Sequence, residues 1–386
     1  MASRSEEGLL AGMLFVVVCG LVLTATDAQV AFAIPQQSAN TTDAAADDRV
    51  GSKVIVTVAG APLRTPEAIV WKAYLGETFT VTLTNGEWLW IEQKGGWLWE
   101  QETVSFDTAI EEFTKRAQTA PSAENFHLRG IALLAHKQYD EAIADFSESL
   151  KKKPGQAGVL NNRGQARYLK SNYAAAVADL NAAVERDPGH FVALNNRALC
   201  YIAVDQFDDA LPDLNAAIQL NTEYPEALNN RGVVHSRKGN YQAAVVDFSA
   251  ALKIDDMYID AYGNRAFAHV QQGNDLAAIK DLTIATTKAP DNYQPINDLA
   301  WIYATSQTDS TRNPDEAVKL ALRACQMSQF ENWNALDTLA VAHAANGNFD
   351  AAKQWVTTAL EKAPDAQKSR IGEHQQLILA GKPVLQ

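Results

Sequence analysis

The sequence predicts a mainly α-helical protein: a right-handed α-solenoid of about seven helix-turn-helix repeats, preceded by a small five-stranded β-barrel. Three observations carry that expectation. Small residues recur at Gly130, Gly164, Ala198, Gly232, Ala266 and Ala300, always 34 residues apart. Between Gly51 and Val104 the apolar residues alternate with a period of two. An apolar fraction of 47% against 20% charged residues separates this 386-residue chain from disordered, highly charged sequences, so its body is expected to fold.

The first 50 residues read as an address and a tether. Leu9 to Leu23 is an apolar run, followed by small residues and by Ala31-Phe32-Ala33, a small-x-small pattern that suits signal-peptidase cleavage. Residues 1–33 are therefore read as a signal peptide or, uncleaved, as a membrane anchor, although about 15 apolar residues is short for a full span. Residues 34–50, rich in Gln, Ser, Thr, Ala and Asp, lack apolar periodicity and read as a flexible linker. The expected location is extracytoplasmic: periplasmic, secreted, or held to a membrane through this segment alone.

Residues 51–105 are expected to form the barrel. Val54, Val56 and Val58 alternate with Lys53, Ile55 and Thr57, and Phe79, Val81 and Leu83 with Thr78, Thr80 and Thr82. Asn85-Gly86 predicts a tight hairpin with both central residues at positive φ, and Lys94-Gly95-Gly96 a second reversal. Trp88, Trp90, Trp97 and Trp99 stand at period-two spacing, so each pair points to one side of its strand. One pair is expected in the core; all four are also candidates for a ligand-facing surface. The series from Gly76-Glu77-Thr78-Phe79 through Gly86-Glu87-Trp88-Leu89-Trp90-Ile91 to Gly96-Trp97-Leu98-Trp99 resembles a bacterial Src-homology-type (SH3-like) barrel. That resemblance implies binding of peptides or cell-wall material.

A connecting helix is expected over 106–122, and from Phe126 the period lengthens. Twelve positions after the first five small residues stand Ala142, Ala176, Ala210, Ala244 and Ala278; four further on come Phe146, Leu180, Leu214, Phe248 and Leu282. Pro154, Pro188, Pro290 and Pro364 close four of the units. Small residues suit the close crossing of two antiparallel helices, a large apolar residue fills the gap beside them, and proline ends the second helix. This pattern resembles the tetratricopeptide repeat over residues 123–364. The sixth unit departs from it, because Thr305 to Pro314 adds about five polar residues between Ala300 and Ala317 and lengthens the loop between the two helices. Residues 365–386 are read as a capping helix and tail, with Arg370, Glu373, His374 and Gln375 on one side and Ile371, Leu377 and Ile378 on another.

Three polar series run through the repeats. Arg129, Arg163, Arg197, Arg231 and Arg265 are each followed sixteen residues later by Asp145, Asp179, Asp213, Asp247 and Asp281, which predicts a ladder of structural ion pairs within or between units. Asparagines recur as Asn161-Asn162, Asn195-Asn196, Asn229-Asn230 and Asn264. The repeat resemblance implies that the first of each doublet and the residue four later, such as Gln165, lie on a concave groove that holds an extended peptide; the other reading is that neighbouring backbone satisfies these amides. The chaperone-type carboxylate clamp is not expected, because His127 and Ile131 stand where its lysine and asparagine belong. His235, His269 and His343 share one buried register, too far apart to hold a single ion, so no metal site is expected.

Other chemistry is thinly supported. Formal charge is −13 and Lys151-Lys152-Lys153 is the one basic cluster, which argues against nucleic acid as a partner. Cys19, Cys200 and Cys325 form no disulfide framework. The sequence contains no GxSxG elbow, phosphate loop, HExxH or calcium loop, and no enzymatic activity or cofactor is expected. The expected function is that of a non-catalytic scaffold binding partner proteins or peptides in the groove. The alternative is a cell-wall (peptidoglycan) binding protein targeted by the barrel, with the repeats as spacer or dimerisation element.

Overall fold

The computed structural model describes residues 47–58, 61–65, 68–73, 76–91 and 94–385; the proposed leader and most of the linker lie outside them. The described residues divide into two compact units, one ending at Asn230 and the other beginning at Arg231, within a single helix.

The first unit begins with short strands: β1 (Lys53–Val56), β2 (Ala61–Arg64), β3 (Ile69–Ala73), β4 (Thr78–Thr80), β5 (Leu83–Asn85), β6 (Trp88–Ile91), β7 (Gly96–Trp99) and β8 (Thr103–Ser105). The five strands expected of a single barrel are replaced by eight strands in two antiparallel sheets, ordered β4-β1-β8 and β3-β2-β7-β6-β5. The run from Thr78 to Asn85, which reads as continuous, breaks at Val81-Thr82, so that β4 joins one sheet and β5 the other. Val54, Val56, Leu63, Phe79, Val81, Leu89, Ile91 and Leu98 form their shared core. The hairpin also differs from expectation. Asn85 pairs with Trp88, so the central turn residues are Gly86 and Glu87, and of Asn85 and Gly86 only glycine takes a positive φ (60°).

Helix α1 (Ala109–Thr119) leads into the pairs α2 (Ala123–Ala135) with α3 (Tyr139–Lys152), α4 (Ala157–Leu169) with α5 (Tyr173–Arg186), and α6 (Phe191–Ala203) with α7 (Phe207–Leu220). The strands are fastened to this end. Ile55 and Val104 share a cluster with Phe113 of α1 and Ile131 and Leu134 of α2, and Phe106 stacks on His136 at 4.0 Å.

Helix α8 (Pro225–Arg237) carries the unit boundary and pairs in sequence with α9 (Tyr241–Ile254). Three more pairs follow: α10 (Ile259–Gln271) with α11 (Asp275–Lys288), α12 (Tyr293–Thr305) with α13 (Pro314–Met327), and α14 (Trp333–Ala345) with α15 (Phe349–Lys362); α16 (Asp365–Leu379) closes the series. The fold is thus mainly helical, as the sequence predicts, with seven helix pairs among the described residues. Periodic chemistry sets each corner. Lys137, Ser171, Asp205, Gly239, Gly273 and Gly347 all adopt positive φ just after the first helix of their pair. The long loop of the sixth pair is ordered by its own hydroxyls: Ser306 Oγ lies 2.5 Å from Thr311 Oγ1 and also contacts Asp275. Asn313 caps α13, with Pro314 at its first position.

Side-chain size is matched across each pair. Gly130 and Gly232 face Phe146 and Phe248, where an added methyl would meet the ring at 2.6 Å. Ala198 and Ala266 occupy the same register where the later residue is Leu214 or Leu282. Gly164 faces Leu180 and would bring a methyl to 2.8 Å from its Cγ. All of these leucines and phenylalanines are fully buried.

Candidate functional site

All five series arginines fork onto the aspartate of their own helix pair. Arg197 Nε and Nη2 donate to Asp213 Oδ2 and Oδ1 at 2.7 and 2.6 Å, and Arg129, Arg163, Arg231 and Arg265 repeat this with Asp145, Asp179, Asp247 and Asp281. The aspartates are buried. A third nitrogen reaches the preceding pair: Arg163 Nη1 donates to Ser147, Arg197 Nη1 to Asn181, and Arg265 Nη1 to Ser249. Each arginine therefore fixes the register of two helices, and Arg163, Arg197 and Arg265 also hold the previous pair, a role that needs the planar donor fork.

The asparagines do not line an open groove. Asn161, Asn162, Asn195, Asn196, Asn229 and Asn264 are buried, and Asn230 is partly so. Asn196 Nδ2 donates to Asn161 Oδ1 at 2.9 Å, and Asn230 Nδ2 to Asn195 Oδ1 at 2.8 Å, each across one repeat. Asn161 Nδ2 in turn donates to Asn162 Oδ1. The rung below ends on His127, whose Nε2 lies 3.0 Å from Asn162 Nδ2; burial pushes this imidazole down to about 4, so it is neutral and accepts. The amides of Asn161, Asn162, Asn195, Asn196 and Asn230 are thus engaged with one another and with His127. Sequence periodicity alone cannot separate a repeat-to-repeat amide ladder from a peptide-binding row, because both demand the same spacing.

Gln165 behaves differently. It is 1% exposed, and neither its Nε2 nor its Oε1 has a hydrogen-bond partner among the described residues. One turn later on α4, the hydroxyl of Tyr168 is likewise buried and unpartnered. Tyr168 was not singled out by the sequence; its place three residues after Gln165, on the same helical face, is the signal that could have found it.

The tryptophans divide across the strands rather than along them. Trp90 and Trp97 pair between β6 and β7 with ring centroids 5.3 Å apart, and both are buried. They are therefore not barrel-surface residues. Trp88 and Trp99, opposite each other in the same ladder, keep part of their surface open, and Trp99 Nε1 donates to Glu87 at 3.3 Å.

At the other end of the chain α16 turns His374 and Arg370 inward, while Glu373 of the same expected polar side stays exposed. His374 Nδ1 lies 3.0 Å from both carboxylate oxygens of Asp337, which is fully buried on α14. Arg370 Nη2 stands 3.8 Å from the same carboxylate, with its guanidinium over the Trp333 ring. Leu377, assigned to the apolar side, is instead 37% exposed, while Ile371 and Ile378 are fully buried. Sequence reading overlooked Asp337, since a lone acid among alanines and leucines carries no motif.

His235 and His269 lie 3.8 and 4.0 Å from the series aspartates Asp247 and Asp281. Burial lowers the pKa of His269 and of His343. Among the described residues no group of His, Cys, Asp and Glu is arranged to hold a metal ion, and no helix is long and apolar enough to cross a membrane. Cys200 and Cys325 are buried free thiols, each pushed up to about 12 by burial.

Helix pairs of 34-residue period, locked by forks and amide rungs, define a helical-repeat protein. Residues 127–191 and 225–258 match models of the tetratricopeptide repeat, and the chain carries such repeats. The crystal structure of the APC/C hetero-tetramer Cut9-Hcn1 aligns with a TM-score of 0.55 and 18% identity, over 61% of this chain and 46% of that one. The chain thus spans less than half of that structure's length, and the likeness is one of fold. YrrB, described as a tetratricopeptide protein with an unusual peptide-binding site, aligns over 49% of this chain and 98% of its own at 21% identity and a TM-score of 0.39. A tetratricopeptide repeat protein from Parabacteroides merdae aligns over 70% and 99% at 17% identity and a TM-score of 0.46. No curated protein matches the chain.

Proposed function

We propose that the chain is a non-catalytic scaffold that binds partner proteins or peptides along the first helices of its repeats, acting outside the cytoplasm. The observation that carries this reading is Gln165 with Tyr168. Three polar atoms on one face of α4 are buried without a protein partner, although leaving such atoms unpaired costs about 1–3 kcal/mol each. An extended peptide backbone offers donors and acceptors that satisfy an amide and a hydroxyl without reading sequence. On α4 the Arg163 fork and the Asn161 and Asn162 rungs hold the repeats in register, which leaves this pair as the binding element of that helix. Affinity capture with the full chain tests it. Gln165→Ala with Tyr168→Phe should lower partner recovery about tenfold or more while the melting temperature holds or rises; unchanged recovery would remove the site from α4.

The extracytoplasmic part rests on the leader pattern in residues 1–33. N-terminal sequencing of the mature protein should begin at Ile34, and an intact Met1 terminus in a membrane fraction would replace secretion with anchoring.

The second reading, cell-wall binding through an SH3-like N-terminal module, is favoured by one observation: the cross-strand pair Trp88 and Trp99 keeps aromatic surface open beside Glu87. Trp88→Ala with Trp99→Ala in the full chain should abolish sedimentation with purified peptidoglycan if this reading holds. Loss of protein partners by the same variant, with no cell-wall binding in either form, would reject it.

A further inference from the structure

Asp337 has the register on α14 that Asn161 and Asn195 have on α4 and α6, and Trp301 on α12 has the register of Gln165. The repeat resemblance implies a partner-facing groove at these positions, whereas at Asn161 and Asn195 the structure has buried amide rungs. In the second unit they are covered by the chain itself. His374 reaches Asp337 at 3.0 Å and packs its ring 5.5 Å from Trp301, while Arg370 covers Trp333.

The covered face has a definite chemistry. Asp337 is an aspartate with no exposure, and the side chains that reach its carboxylate among the described residues, His374 and Arg370, both come from α16. An acidic, tryptophan-flanked face therefore accepts a helix that brings an imidazole and a guanidinium one turn apart. The match is incomplete. Arg370 Nε and Nη2, Trp301 Nε1 and Asn297 Oδ1 are all buried without a hydrogen-bond partner, whereas the five ladder arginines satisfy the same Nε and Nη2 edge on an aspartate. Both oxygens of Asp337 already face His374, which leaves the fork of Arg370 unfilled at 3.8 Å.

We propose that the α12–α14 face is an interaction surface for a basic amphipathic helix of a partner, and that α16 is its intramolecular occupant, displaced when a better-matched helix arrives. This rests on the groove reading above and adds to it the chemistry of the ligand and a built-in competitor.

The test uses the full chain and a fluorescein-labelled peptide of residues 364–381. Wild-type chain should bind it weakly, because its own α16 is in place. Arg370→Gln with His374→Gln in the chain should bind the peptide at least tenfold more tightly, with hydrogen exchange over 365–379 accelerated at least tenfold and that over 241–288 unchanged. Adding Asp337→Asn to that variant should abolish the gain, and a peptide with glutamate in place of Arg370 and His374 should bind at least tenfold more weakly. Equal binding of the peptide to wild type and variant, or equal binding of the glutamate peptide, overturns the proposal. If partner recovery still depends on Gln165 and Tyr168 in that case, the scaffold reading stands and only the α16 inference falls.

Discussion

Gly232 on α8 faces Phe248 on α9 so closely that a methyl group on the glycine would stand 2.6 Å from the ring Cε1. Where the repeat carries leucine in place of this phenylalanine, the opposing residue is alanine at Ala198 and Ala266 and glycine at Gly164, whereas both phenylalanines of the series, Phe146 and Phe248, are faced by glycine. Crossing distance and ring volume are therefore set together. Gly232→Ala should destabilise the protein by about 1–3 kcal/mol through overpacking, and Phe248→Leu in the same chain should recover most of that loss. Urea unfolding of the two single variants and the double variant checks it; additive losses would show that the two residues do not share the space.

The fork between Arg197 and Asp213 predicts an asymmetric response. Arg197→Ala strips a buried carboxylate of its bidentate partner and frees Asn181 of the preceding pair, and should cost about 3 kcal/mol. Arg197→Lys keeps the charge but cannot fill both oxygens in one plane, so it should lose clearly less. Equal losses would mean that charge alone matters at this register. Measurement of both by chemical denaturation decides.

Asn161, Asn195 and Asn229 replaced together by alanine should lower stability. At Asn161 and Asn195 the amide oxygen lost is one that accepts from the next repeat, and each buried amide left unpaired costs about 1–3 kcal/mol. A melting temperature several degrees below wild type is expected. A triple variant as stable as wild type, with weakened partner capture, would return these residues to the binding surface.

Asp298 gives a pH dependence of known sign. It stands partly open as a residue, yet the protein packed around its carboxyl pushes its pKa up to about 7 by burial, against hydrogen bonds from Asn297 and Gln294 that act the other way. The neutral form is favoured in the folded state, so the contribution of this group to stability is complete below its unfolded pKa near 4 and is lost as pH rises toward 7. Asp298→Asn restores the amide of the series and removes that loss. Its gain in stability over wild type should be small at pH 4, grow to pH 7 and then level off at no more than about 4 kcal/mol, the linkage limit for a pKa raised from near 4 to about 7. Thermal melts at several pH values test this, and a gain independent of pH would contradict the assignment.

What the sequence by itself determined was everything that repeats. A 34-residue period, small residues at the crossings, apolar residues sixteen positions on and alternating Arg and Asp are local or fixed-offset signals, and a helix pair with fixed geometry turns each offset into a contact. The seven pairs, the long polar loop of the sixth and the closing helix were legible for that reason. What only the tertiary structure decided depends on which neighbour arrives at a face. Asn161 and Asn196 satisfy each other because stacking brings successive first helices within hydrogen-bond reach, and the same spacing in the sequence fits a row of free amides equally well. The strands split into two sheets because pairing partners are chosen by long-range packing, which a period of two does not encode. Asp337 became the anchor of α16 because the chain folds His374 and Arg370 back onto it, a meeting of residues about 35 positions apart that no periodic signal announces, and its physical cause is the need to neutralise a carboxylate that packing has removed from water.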